Sequence, residues 1–523
     1  MVALLEFGVL VLIAWPLLRA AVHPALRRAY PRTTTVMAIL VLAWAAGAGV
    51  LGFWFPRLLH LVTALAAGGA TFALLHGLPG YGRSRRLPPG SLSLLPFDYL
   101  MDPFFFSKQI ERHGWVFKMN QFGFGAGPNP FRGSLQPVCC VDMKRGIKIL
   151  NDHDEILIPP VIPSSRFIPK KYLREMKRED HSHYRQIFSA AFKREVIDES
   201  AEFMTRHVRA SLLRLADQSS SNGSRGVAPE NFLLSMTFGV FVRCFFGILP
   251  DDERFGLLKK LSAAIDLTNR NDREVSLALD EFAGILRQEA HRIAASNHNP
   301  TNSFLSEIAR SEPAAFDDLT AIRNFIYIMT ASWIDTSGLI TWLFKELSEH
   351  PDWTTRLPGD IQLKATDGTE PLSVRCVRET LRLRQSEYLY RRVLDDLPVE
   401  DFVIPKGWLL RVCIRESHRD PRVFDTPNEF NPDRFLARSY PRAEYSTFGA
   451  SRISCLGEHL TLTLGQIFVE EFALNIETST REDGPLEYRK WHWKPSSKWK
   501  VHVSRRDRQT SGKMKKKFRL RFP

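Results

Sequence analysis

Phe448-Gly449-Ala450-Ser451-Arg452-Ile453-Ser454-Cys455-Leu456-Gly457, close to the C-terminus, is the stretch on which the reading of this chain turns. Cys455 has no other cysteine nearby to pair with, and that context points to a metal-bound thiolate; a lone buried cysteine is the plain alternative. Upstream, Glu379-Thr380-Leu381-Arg382 sets a carboxylate and a guanidinium one turn apart on one face of an expected helix. An exposed pair of that kind is common and weak. Between these two stretches run Ser417-His418-Arg419-Asp420-Pro421-Arg422-Val423-Phe424 and Glu429-Phe430-Asn431-Pro432-Asp433-Arg434-Phe435. Farther upstream, acidic residues from Asp317, a mostly apolar stretch and a closing His350-Pro351 predict one long helix to Glu349. Its middle reads Ser332-Trp333-Ile334-Asp335-Thr336-Ser337.

Taken in this order, the segments resemble those of the cytochrome P450 family of haem-thiolate enzymes, of the membrane-anchored, microsomal and fungal-like type. The resemblance runs from about Leu87 to about Val503 and implies a mainly α fold with a small β region, preceded by N-terminal transmembrane helices. Phe448, seven residues before the cysteine, and Gly457, two after it, match the ligand loop, and Cys455 is then the axial ligand of haem b. In that loop small residues let the backbone fold under the iron, and backbone N–H groups tune the sulfur. Glu379, Arg382 and Arg434 correspond to the family's buried three-way ion cluster and are structural. Asp335 and Thr336 take the acid and alcohol positions of the oxygen side. A mid-helix threonine either bonds back to its own backbone or opens the helix toward a ligand, and beside a carboxylate it can relay protons. An ordinary polar pair on a packed helix is the alternative.

This chain departs from the family pattern in two places. Trp333 and Ser332 stand where the family has small residues, so an indole is expected to narrow the oxygen groove or to wall the substrate pocket. In the cysteine loop Ser451 replaces a glycine and Ile453 replaces the basic residue that meets a haem propionate, which leaves Arg452 as a substitute. Other propionate partners follow from the resemblance. His181 and Arg185 are four apart on one face of an expected helix, and Arg391, with Arg392 as its competitor, lies nine residues after Arg382. Pro405-Lys406-Gly407 reads as a hairpin turn in a local sheet.

The chain has 523 residues and 44% hydrophobic content, enough for one large core. Its six cysteines show no Cys-x-x-Cys spacing, which speaks against a zinc site or a disulfide framework. Residues 1–80 read as a membrane anchor of up to three spans, with Val2 to Leu18, Val36 to Phe55 and Leu58 to Leu78 as the apolar segments; a partly inserted hairpin of the last two is the alternative. Residues 81–95 read as a proline-rich hinge, 96–503 as the catalytic domain and 504–523 as a basic tail. Arginines follow the first and third segments while Arg57 alone separates the second and third. This gives a lumenal N-terminus and a catalytic domain facing the cytosol at the endoplasmic reticulum membrane. The net charge of +14, from 71 Lys and Arg against 57 Asp and Glu, suits a membrane surface and an acidic redox partner; no nucleic-acid module is present.

The resemblance implies a monooxygenase that inserts one oxygen atom of O2 into a small apolar substrate such as a lipid, a terpenoid or another secondary metabolite. No Gly-x-Gly-x-x-Gly nucleotide loop is present, so electrons are expected from an NADPH-dependent flavoprotein reductase. Two alternatives stay open: a haem-thiolate isomerase or dehydratase that needs no external electrons, and a non-catalytic haem-binding membrane protein.

Overall fold

The computed structural model describes Val62 and residues 87–90, 105–118, 137–159, 166–265, 271–295, 302–363, 369–384, 389–450, 453–489 and 492–506. Apart from Val62, the three apolar segments read as membrane spans lie outside these residues, as do Arg452 and most of the basic tail. Among the described residues no helix is long and apolar enough to cross a membrane. The chain divides into two compact units: Met1–Pro160 with Ser386–Phe424 and Glu487–Trp493, and Val161–Gln385 with Asp425–Leu486 and Lys494–Pro523.

The first unit carries most of the β structure. Helices α1 (Phe105–His113) and α2 (Met143–Asp152) accompany strands β1 (Val116–Lys118), β2 (Pro137–Cys140), β3 (Leu157–Ile158), β4 (Leu389–Val393), β5 (Leu397–Val399), β6 (Phe402–Ile404) and β7 (Leu409–Val412). Five of the strands form one sheet in the order β1-β2-β7-β4-β3, and β5 pairs with β6 alone. The Pro405-Lys406-Gly407 turn is therefore not a hairpin, because it leads from one pair of strands into a different sheet. Gly407 holds it at φ 85°, a left-handed conformation that costs glycine little, while its N–H donates to Val393 of β4. The stretch expected to act as a hinge is packed here: Leu87 and Pro88 are buried, and the Lys118 N–H donates to Pro89 O at 2.7 Å.

Helices build the second unit: α3 (Arg178–Ala191), α4 (Arg194–Ser221), α5 (Glu230–Phe246), α6 (Arg254–Ala264), α7 (Asp272–Ala295), α8 (Phe304–Ser311), α9 (Leu319–Glu349), α10 (Pro351–Leu363), α11 (Leu372–Arg384) and α12 (Glu458–Asn475). A two-stranded ribbon of β8 (Ile476–Glu482) and β9 (Lys500–Arg505) closes it. The ribbon ends at Arg505, which pairs with Asp217 of α4. The long helix α9 starts where Asp318 accepts the Thr320 N–H and ends at His350. It is apolar nearly all round because helices cover it on several sides. Phe245 of α5, Phe304 of α8 and Phe325 of α9 meet at ring separations of 4.9 and 5.4 Å, so aromatic edges tie three helices at one point. Beneath α9, α11 and α12 cross so closely that a Cβ on Gly465 would lie 3.0 Å from both methyl groups of Val377.

Helix α11 also holds the chain that leads to the cysteine loop. Glu379 takes both Nε and Nη2 of Arg382 at 2.8 Å, and its Oε1 also accepts Arg434 Nε and the Asn431 N–H at 3.0 Å. The remaining guanidinium donors reach backbone carbonyls: Arg382 Nη1 donates to Pro427 O and Arg434 Nη1 to Asp425 O, each at 2.7 Å. All three side chains are buried. One carboxylate against two guanidiniums is tolerable in a dry interior only because these carbonyls complete the donors' partners. Glu379→Gln removes the carboxylate charge that balances both arginines and is expected to cost about 3–5 kcal/mol, read as a lower urea midpoint. Lys148→Ala, which opens the exposed Lys148–Asp152 pair, should leave the midpoint almost unchanged.

Candidate functional site

The cysteine loop is set by short local bonds. Cys455 N–H donates to Phe448 O at 2.8 Å, and Ser446 Oγ donates to Gly449 O at 2.9 Å. Gly449 adopts φ 79°, so a side chain there would strain the turn. From α3, Arg185 braces the residue before the cysteine, donating through Nη1 to Ser454 O at 2.9 Å and through Nη2 to Ser454 Oγ at 3.2 Å. Behind the loop, Tyr445 Oη donates to Arg378 O of α11.

All six cysteines lie in described residues; five are buried, and Cys455 is the one left open. The opening is one-sided, since the protein around the rest of the side chain desolvates it. Burial pushes its thiol up to about 11, the Asp335 and Glu458 carboxylates adding to the shift while the Gly457 N–H at the sulfur and the Arg185 charge oppose it. Left alone, such a thiol stays protonated near neutral pH. The positive charge of a metal centre on its open side is what would hold it as a thiolate. A sulfur with one open side and a backbone donor fits the axial ligand of a haem iron.

Helix α9 lies alongside this loop in a definite register. A Cβ built on Gly457 would be 3.9 Å from Cys455 Sγ and 4.0 Å from Ser332 Oγ. Four residues on in both helices, Thr336 Oγ1 and Thr461 Oγ1 share a hydrogen bond at 3.3 Å. Trp333 fixes the rotation of α9: its Nε1–H donates to Leu234 O of α5 at 2.9 Å, and its ring meets Phe238 edge-on at 4.8 Å. The indole is thus buried in helix packing. Thr336 is likewise buried against α12, whereas Asp335 is exposed and Ser332 half-buried. The alcohol expected on the ligand side is therefore held by another helix.

The other expected site residues fall as follows. His181 is buried on α3. In the first unit, β4 alternates so that Arg391 is buried and Arg392 exposed, and Arg391 Nη1 donates to Tyr390 O at 2.8 Å. Phe448 is half-buried at the start of the loop. Two residues near the site escape a reading of the sequence. Ser332 looks like a departure from a motif, and Tyr172 sits in an unremarkable Lys171-Tyr172 pair. Burial raises the Tyr172 phenol, and the charges of Asp335 and Cys455 add to that shift, which places it in electrostatic reach of both. Its ring lies 6.1 Å from that of Tyr327 on α9.

Known proteins share parts of this chain's sequence and fold. Residues 273–491 match the family model described as Cytochrome P450. Abscisic acid 8'-hydroxylase 1 of Arabidopsis thaliana is 24% identical over 410 residues, covering 72% of this chain and 82% of that protein. Cytochrome P450 family 716 subfamily AD polypeptide 2 of Citrus sinensis is 29% identical over 157 residues, 27% of this chain and 32% of its own length. Among solved structures, a retinoic acid-bound cyanobacterial CYP120A1 shares the fold with a TM-score of 0.63 at 19% identity, covering 80% of this chain and 99% of that one.

The anchoring role of Trp333 is open to a stability measurement. Trp333→Phe keeps a ring against Phe238 but removes the indole donor to Leu234 O and is expected to cost about 1 kcal/mol in urea unfolding. Trp333→Ala should cost about 3–5 kcal/mol.

Proposed function

We propose that this chain is a member of the cytochrome P450 family, a haem b monooxygenase that inserts one atom of O2 into a small apolar organic substrate with electrons from an NADPH-dependent flavoprotein reductase. The observation that carries this reading is the one-sided opening of Cys455, with the Gly457 N–H at its sulfur and α9 beside it. When bound, the haem supplies the activation of dioxygen. Cys455 would hold the iron, and the Gly457 N–H would temper how strongly the sulfur donates. Arg185 keeps the loop in place through Ser454. Asp335 is exposed on α9 and exchanges protons with water, which suits it to supply protons on the oxygen side. His181, Arg391 and Arg452 are the candidates for the haem carboxylates.

The similarity to abscisic acid 8'-hydroxylases supports hydroxylation of a compact, largely apolar molecule, a terpenoid or a lipid among them. For the reductase, the exposed bases Lys170, Lys171, Lys177, Arg178, Lys193 and Arg194 around the start of α3 and α4 offer a positive face to an acidic partner. The apolar segments before residue 80 anchor the chain in the endoplasmic reticulum membrane with the catalytic part in the cytosol.

Cys455→Ser is expected to abolish both the thiolate-type carbon monoxide spectrum and all turnover; a variant that keeps that spectrum rules out Cys455 as the ligand. Purified protein given abscisic acid and a panel of terpenoids and fatty acids should form hydroxylated product only with reductase and NADPH. In sealed microsomes, a tag placed before Val2 should resist added protease while a tag after Pro523 is cleaved. Cleavage of both tags would exclude an odd number of crossings.

A further inference from the structure

We propose that a cavity bounded by α11, the entry to the cysteine loop and the start of α12 binds a small aromatic monocarboxylate, and that this ligand steadies the loop. The cavity has a volume of about 150 Å³, and its whole wall belongs to the second unit. Pockets for drug-sized ligands begin at roughly 300 Å³, so the occupant is a molecule of one ring. Cys455 is not part of the wall, which separates this site from the open side of the sulfur.

Two guanidiniums reach the cavity. Arg378 of α11 pairs through Nη2 with Glu370 at 3.1 Å and lies over the Phe435 ring at 5.8 Å, which leaves its Nε and Nη1 with no protein acceptor among the described residues. Arg442 gives Nη2 to Glu458 at 3.2 Å, and its other donors likewise have none there. Glu458 is the first residue of α12, and the N-cap Gly457 brings no side chain to that helix end, so the positive end of an 18-residue helix lies beside the two cations. With Glu370 and Glu458 each answering one guanidinium, the wall offers an anion unused N–H donors more than a large net charge. That suits a carboxylate and disfavours a dianion, which the Glu458 carboxylate would repel. Tyr440, Phe448 and Leu462 make the rest of the wall aromatic and apolar, and this is what asks for a flat ring behind the carboxylate.

The link to the loop is direct. Phe448 and Gly449 both line the cavity, and their carbonyls accept the Cys455 N–H and the Ser446 hydroxyl. An occupant therefore lies against the two peptide units that shape the turn before the cysteine, and restrains them.

Isothermal titration of the purified full-length protein with benzoate should show one site with Kd on the order of 1 mM, the range open to so small a ligand. Benzamide, which keeps the shape without the charge, and inorganic phosphate should each bind at least about tenfold more weakly. Arg442→Gln removes an exposed side chain, so it should weaken benzoate about tenfold with the urea midpoint unchanged. Arg378→Gln should weaken it as much. Bound benzoate should also slow amide exchange in residues 446–450 and 453–457. The site is overturned if benzoate gives no binding heat or if Arg442→Gln binds it as the wild type does. Phosphate or benzamide binding as tightly as benzoate overturns the ligand class, and unchanged exchange in the loop overturns the steadying role.

Discussion

Glu379 is the charge on which the second unit depends. Its carboxylate is the common partner of Arg382 and Arg434, and all three side chains are taken out of water. An interior tolerates that arrangement only when every donor is met, and the donors are met by carbonyls of Asp425, Pro427 and Glu429. The cluster therefore does more than join α11 to one arginine. It fixes a non-helical stretch of backbone that has no ladder of its own, and this stretch leads directly to the cysteine loop.

From α11 the constraint spreads in both directions. Arg378 O receives the Tyr445 hydroxyl, which holds the entry to the loop, while Val377 packs against Gly465 beyond its exit. Arg185 of α3 adds a third point at Ser454. Cys455 thus sits in a loop pinned before, within and after the sulfur. A thiol held so is presented rather than searching, and the groups that adjust its basicity keep their distances.

The register of α9 on α12 shows how packing divides polar residues between roles. Ser332 with Gly457 and Thr336 with Thr461 are successive four-residue steps along two helices. At the first step the partner is glycine, so space remains. At the second it is threonine, so the hydroxyls meet and close. Trp333 decides which step faces which way, because a buried indole N–H has to find an acceptor and Leu234 O supplies it.

Much was legible in the sequence because it rests on local rules. The long helix opened by acidic residues from Asp317 and closed by His350-Pro351, the cysteine loop with its glycines and the i,i+3 spacing of Glu379 and Arg382 all follow from spacing and residue type. Resemblance to a family added Arg434, whose meeting with Glu379 no local rule implies. The tertiary structure alone decided three things. Pro405-Lys406-Gly407 joins two sheets, since strand pairing is a choice among distant partners. The pleat of β4 buries Arg391 and exposes its competitor Arg392. Finally, the rotation of α9 about its own axis, and with it the side on which Ser332, Asp335 and Thr336 lie, is set by what α5 and α12 offer as partners. A motif gives the order of residues along a helix, whereas the direction in which each points depends on the helices that pack around it.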